Sequence, residues 1–125
     1  MDVQSDHGYR GLAMPESEAE ALVERQVEAF NAHDLEAFCA CYSDDVLVID
    51  GDGDEMLRGM AAFRERYRQQ CEGDAAGKIG GRLSAGSWVV DHEIARLGGQ
   101  TVEGLVAYRI RGGVIDRVHF FFDVR

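Results

Sequence analysis

Residues 87–123 read SWVVDHEIARLGGQTVEGLVAYRIRGGVIDRVHFFFD, and the alternation in this stretch decides the fold. Apolar and polar side chains trade places through three runs, Ser87 to Arg96, Thr101 to Arg111 and Val114 to Asp123. That period of two is the signature of strands with one face buried. Gly98-Gly99 and Gly112-Gly113 separate the runs, and a glycine pair supplies the two positive φ angles of a tight hairpin. The three strands are therefore expected to pair as an antiparallel meander, which a fourth run from about Lys78 to Ser84 extends upstream.

Before Gly73 the period is helical. Pro15 with Glu16, Glu18 and Glu20 suits the first turn of a helix and the positive end of its dipole. Ala19, Leu22, Val23, Gln26, Val27 and Phe30 follow at helical spacing, an apolar stripe with one amide in it. Asp34 is placed to cap a short second helix through Tyr42. Val46 to Asp50 reads as a buried strand, Gly51 to Glu55 as a turn, and Gly59 to about Glu72 as a third helix with Met60, Phe63 and Tyr67 inward. Helices followed by a mainly antiparallel sheet give an α+β domain with the helices on one face.

The chain has 125 residues, enough for one hydrophobic core, so a single domain over residues 15–125 is expected behind a disordered start at 1–14. A net charge of -10 argues against nucleic acid and against anionic membrane surfaces. Residues 1–74 hold 18 acids and 6 bases, whereas residues 75–125 hold 5 and 7, so the acidity belongs to the helical half. Cys39, Cys41 and Cys71 are odd in number and lack framework spacing, which reads as reduced thiols in a cytoplasmic protein. No stretch has the form of a signal peptide or approaches the roughly 20 apolar residues of a membrane span.

Motifs for cofactor chemistry do not occur. The acids of Gly51-Asp52-Gly53-Asp54-Glu55 fail the spacing of a calcium loop, because Met56 and Leu57 follow. Cys39 and Cys41 point to different sides of their helix, which disfavours a shared metal. Neither a glycine-rich phosphate loop nor a nucleophile elbow is present. The expectation is no cofactor and no metal.

Four fragments in order carry a resemblance: Phe30-Asn31-Ala32-His33-Asp34-Leu35-Glu36, Tyr42-Ser43-Asp44-Asp45-Val46 leading to Asp50, Arg58-Gly59, and Gly112-Gly113-Val114-Ile115. Together they resemble the nuclear transport factor 2-like superfamily, in the branch of ketosteroid isomerase and the SnoaL-like polyketide cyclases. The resemblance implies a cone-shaped curved sheet with three N-terminal helices on its concave face, an enclosed pocket for a small hydrophobic ligand, and a homodimer formed through the outer sheet face. It places Asp50 at the general base of ketosteroid isomerase and Tyr67 at a pocket tyrosine. The two oxyanion donors of that enzyme fall at Gln26 and near Val106, so both are replaced and its ordinary mechanism is not expected. Fold does not fix chemistry, and the superfamily holds isomerases, cyclases, hydrolases, dehydratases and binders.

Strand phase adds one further candidate. With Trp88 and Val90 facing the pocket, His92 and Ile94 face it too, and Asp91 and Glu93 face away. Asp50 and His92 then form a coupled acid–base pair in an apolar cavity. The same residues also fit a turn-capping aspartate and a core histidine. The expected wall comprises Gln26, Phe63, Trp88, Val106, Tyr108 and Phe120. His119 falls on the outer face, and Phe121, Leu105, Val89 and Ala95 are expected there as an apolar patch suited to a dimer. The functional expectation is a cofactor-free isomerase, cyclase or lyase acting on a hydrophobic carbonyl or polyketide-like compound, with Asp50, His92 and Tyr67 catalytic. The alternative is a module that binds a small ligand without turnover.

Overall fold

In the computed structural model the described residues are 18–122, so the expectations of a disordered start at residues 1–14 and of a helix opening at Pro15 lie outside them. Helix α1 covers 18–31 and buries Ala19, Leu22, Val23, Gln26 and Val27, the stripe its spacing foretells. Helix α2, Leu35–Cys39, starts where Asp34 accepts a hydrogen bond from the Ala37 amide at 3.1 Å. It is shorter than expected, because Tyr42 already belongs to strand β1, Tyr42–Ile49. Strand β2, Glu55–Arg58, pairs antiparallel with β1 and follows the Gly51–Glu55 turn, where no strand is expected from sequence. Helix α3 is Met60–Cys71. Gly59 precedes it at φ 88°, in the left-handed region that favours glycine, while its amide bonds the Val46 carbonyl at 2.8 Å.

Strands β3 (Ala76–Ala85), β4 (Trp88–Leu97), β5 (Gln100–Arg111) and β6 (Val114–Phe122) form the expected meander. Gly98, Gly99, Gly112 and Gly113 all have positive φ at its hairpins. The chain then makes a connection that local pattern does not reveal: β6 pairs in parallel with β1, giving the order β2-β1-β6-β5-β4-β3. The α+β sheet is curved and unclosed, with helices on its concave side.

Five rings fill the space between helices and sheet. Phe38 and Phe63 stack with centroids 5.7 Å apart and planes 5° from parallel, while Tyr42 and Tyr67 lie 4.4 and 4.6 Å from Phe63. Phe30 closes on Phe38 at 5.7 Å. Tilted and offset rings of this kind add to the area they bury.

The phase of β4 is the opposite of the expected one. Val89, Asp91 and Ala95 are buried, and Glu93, Ala95 and Leu97 face the helices. Trp88, Val90, His92 and Ile94 therefore lie on the outer face, and Val89 and Ala95 do not. The cause is the hairpin at Gly86-Ser87, which sets Ala85 opposite Trp88 and Arg82 opposite Asp91. Arg82 binds Asp91 through two hydrogen bonds of 2.6 and 2.9 Å and reaches Glu24 of α1 at 3.0 Å. The sequence-level assumption that charges face outward fails because this carboxylate has its cation on the same face.

Asp91 is wholly buried, and a buried carboxylate without its partner is costly. Replacement Arg82→Met is expected to lower the unfolding free energy by about 3–5 kcal/mol, measured by urea denaturation. The double variant Arg82→Met/Asp91→Leu should recover most of that loss. A single variant as stable as the parent would contradict the role of the pair.

Candidate functional site

The concave side of the sheet and helices α1 and α3 line a half-open cavity of about 690 Å³, within the usual range for small organic ligands. The apolar part of its sheet wall is formed by Ala95, Leu97, Val102, Phe120 and Phe122. Phe30, Phe38 and Tyr67 face it from the helices. The polar lining residues fall into two groups by partnership: the side chains of Asp50, Asp52, Arg66, Gln70 and Gln100 make no hydrogen bond to one another, whereas those of Gln26, Tyr42 and Tyr108 are linked and form, with Glu93, a second group.

The second group is ordered by a directional chain of hydrogen bonds. The Tyr42 hydroxyl donates to Gln26 Oε1 at 2.7 Å, and Gln26 Nε2 donates to the Tyr108 hydroxyl oxygen at 3.1 Å. Gln26 and both tyrosines are buried. A phenol has one proton, so Tyr108, which accepts from Gln26, keeps that proton for another acceptor. Each bond in such a chain polarises the next. The chain presents Tyr108 as a donor to an oxygen in the cavity.

Glu93 brings the titrating group. Burial pushes its carboxyl up from the usual range to about 7, and the Asp91 carboxylate on the same strand adds to that push. Burial likewise raises the phenols of Tyr42, Tyr67 and Tyr108, and the negative charge of Glu93 raises them further. Asp91 itself is held by Arg82, which leaves Glu93 as a carboxyl with no hydrogen-bond partner among the described residues.

Of the residues singled out in the sequence, Asp50, Tyr67, Gln26, Tyr108 and Phe120 line the cavity. Asp50 is already engaged: its Oδ1 accepts from the amides of Asp52 and Asp54, each at 2.9 Å, an aspartate turn of the ordinary kind. His92 is on the outer face, 2.5 Å from Glu103 Oε2. Asp50 and His92 are thus not brought together, and the pair expected from strand phase does not exist. Trp88 is also outside, edge-on to His119 at 5.6 Å. Phe63 and Val106 are fully buried in the core rather than at the cavity wall. Among the described residues no group of acids, histidines or cysteines is arranged to hold a metal.

A profile of the SnoaL-like domain matches residues 23–118, which is most of the chain and runs from within α1 to within β6. The chain belongs to the SnoaL-like domain family. Solved structures of nuclear transport factor 2-like type share its fold. A Kribbella flavida protein assigned as a ketosteroid isomerase is 23% identical, with 88% of this chain and 81% of that one covered and a TM-score of 0.77. An LEH-like epoxide hydrolase of Mycobacterium tuberculosis is 21% identical, with 87% and 85% covered and a TM-score of 0.72. A computationally designed binder of 17-OHP is 16% identical, with 86% and 92% covered and a TM-score of 0.75. At these identities the likeness is one of fold.

In this SnoaL-like domain, the groups that sequence reasoning missed are Glu93 and Tyr42. The register of the Gly86-Ser87 hairpin held the signal for Glu93, since it pairs Arg82 with Asp91 and so allows the charged side of β4 to turn inward. Tyr42 was hidden by its assignment to a helix end.

Glu93 binds its proton more tightly in the folded chain than in the unfolded one, so stability is highest where both forms are protonated and falls as pH rises from about 4.5 to about 7. The replacement Glu93→Gln removes the titration. Its melting temperature should match the parent at about pH 4 and exceed it at about pH 8, where the charged Glu93 costs up to about 3 kcal/mol. A constant difference across that range in thermal unfolding would contradict the burial of this carboxyl.

Proposed function

We propose that this SnoaL-like domain binds a small hydrophobic molecule bearing a carbonyl group and moves a proton on the carbon beside it, without a cofactor. The observation that carries the reading is a partly buried carboxyl poised near pH 7 in the same cavity as a phenol whose proton is left free by its neighbours. A general base works best when its pKa lies near the working pH. Glu93 takes the α-proton, Tyr108 donates to the enolate oxygen, and the protonated Glu93 returns the proton to carbon. One carboxyl suffices for an isomerisation of this form. It also suffices for a cyclisation in which the enolate attacks a second carbonyl of the same molecule and the new alkoxide receives the proton. Tyr67 faces the ligand from α3, and Asp50 shapes the turn beside it. Compared with the roles read from sequence, the base moves from Asp50 and His92 to Glu93.

The wall of Val102, Phe120 and Phe122 supports an apolar body for the ligand. A second reading, ligand binding without turnover, is favoured by the engagement of Asp50 Oδ1 in its turn, where it orders the chain rather than facing a substrate proton. The same fold carries a designed binder, so the scaffold suits either role.

The outer face supports association of two copies. Leu105 and Phe121 are close to half exposed there, beside Trp88 and Val90, and the buried Nε2 of His119 and Nε of Arg117 have no partner among the described residues. A homodimer through this face covers the apolar patch. The three free cysteines suit a reducing, cytoplasmic compartment.

Native mass spectrometry of the purified protein identifies the retained compound, and solvent deuterium exchange at its α-carbon reads proton transfer. Glu93→Gln is expected to slow exchange by about 10²–10⁴ and Tyr108→Phe by about 10²–10³, with the compound still bound. Exchange undiminished in Glu93→Gln would overturn the proposal. Binding with no exchange in the parent protein would establish the second reading.

A further inference from the structure

The turn Asn31-Ala32-His33 stands outside the cavity, yet it holds the sheet in an unusual way. Among the described residues strand β3 is one of the two edges of the sheet, where backbone groups lack a neighbouring strand. At Gly77 the Asn31 side chain takes the place of that strand: Nδ2 donates to the Gly77 carbonyl at 2.9 Å, and the Gly77 amide donates to Oδ1 at 2.7 Å. Two residues earlier His33 Nε2 lies 2.9 Å from the Ala75 carbonyl, with His33 itself in the left-handed region at φ 58°. The start of β3 is thus fastened to the end of α1.

Gly77 is the position where this fastening meets the site. It pairs with Ala95 on the concave face, diagonal to Glu93. A Cβ on Gly77 would stand 2.7 Å from Glu93 Oε2, 3.6 Å from Cδ and 3.9 Å from Cγ. The Glu93 side chain therefore lies across the bare backbone of Gly77, in space that only glycine leaves open. On the same strand a Cβ at Gly80 would meet the His92 ring, at 2.6 Å, and one at Gly81 nothing within 4 Å, so Gly77 is the β3 glycine that faces a carboxylate.

We infer that Gly77 and Asn31 are positioning residues for Glu93: the glycine provides the seat for its carboxylate, and the asparagine holds that seat in place on the sheet edge. The inference rests on the reading of Glu93 as the proton-transfer group. A methyl at Gly77 meets the far end of a flexible side chain rather than backbone, so the fold accommodates it by moving the carboxylate away from the sheet, toward the open cavity. Water then reaches the carboxylate more easily, and its affinity for the proton falls.

The test uses the full chain and two NMR readouts that need no ligand. In the parent protein, nuclear Overhauser contacts between the Gly77 α-protons and the Glu93 γ-protons report the seat, and carboxyl carbon shifts report titration, with Glu93→Gln providing the assignment. Gly77→Ala is expected to lower the Glu93 midpoint by about one unit or more. Asn31→Ala should shift it in the same direction and weaken the contacts, and Gly81→Ala should leave both unchanged. Absence of the contacts in the parent, or an unmoved midpoint in folded Gly77→Ala, would overturn this inference while leaving Glu93 as the base. A parent midpoint in the ordinary carboxylate range with the contacts present would instead overturn the reading of Glu93 and keep the seat.

Discussion

The two hydrogen bonds between Arg82 and Asp91 set which side of strand β4 faces the helices, because a strand alternates its side chains and cannot turn one inward without turning its second neighbours inward too. A buried carboxylate on the concave face is tolerable only with a cation beside it, and the tight hairpin at Gly86-Ser87 delivers that cation from the adjoining strand. Once Asp91 is inside, Glu93, Ala95 and Leu97 follow it into the cavity, and Trp88, Val90 and His92 go to the other face. The choice of acid–base group is a consequence of this one pairing.

The rest of the site follows from what surrounds Glu93. Stacked and tilted rings from α2, α3 and β1 exclude water from one side of the cavity, and the aromatic residues of β6 line the other. In that setting desolvation dominates over nearby charge, and the carboxyl holds its proton to about 7. The same surroundings make the Tyr42–Gln26–Tyr108 chain directional, since each buried donor has one acceptor within reach. A charge held where it is unfavourable destabilises the folded chain, a common cost at sites of proton transfer. The Arg82 network to Glu24 and Asp91 offsets it by tying α1 to the sheet close by.

Much of the fold was legible in local pattern. The helical stripe of α1, the cap at Asp34, the glycine that opens α3 and the two glycine hairpins of the meander all lie where residue spacing puts them, and the family resemblance rests on the same fragments. Strand β2 was not legible because its four residues are short, largely exposed and charged at both ends. The parallel pairing of β1 with β6 joins residues some seventy positions apart, which no local period encodes. Within the site, Gln26, Tyr67, Tyr108 and Phe120 could be read from helix and strand faces. Glu93 could not, because alternation gives two phases and hydropathy favoured the wrong one: Trp88, Val90 and Ile94 are more apolar than Val89, Asp91 and Glu93, yet they lie on the outer face. The apolar character of that outer face removed the usual cue, and its own proposed burial between two copies accounts for the ambiguity.

Desolvation in the cavity keeps the Glu93 carboxyl of β4 neutral up to about pH 7. Infrared difference spectra of the unliganded protein with carbon-13 in its glutamate carboxyls test it most directly, compared between about pH 6 and about pH 8.5 for the parent and for Glu93→Gln. A Glu93 carboxyl of this kind gives a protonated-carboxyl band at the lower pH that disappears at the higher one and is missing from the variant. A parent spectrum with glutamate fully ionised at about pH 6, identical to that of the variant in this band, would place Glu93 in water and contradict it.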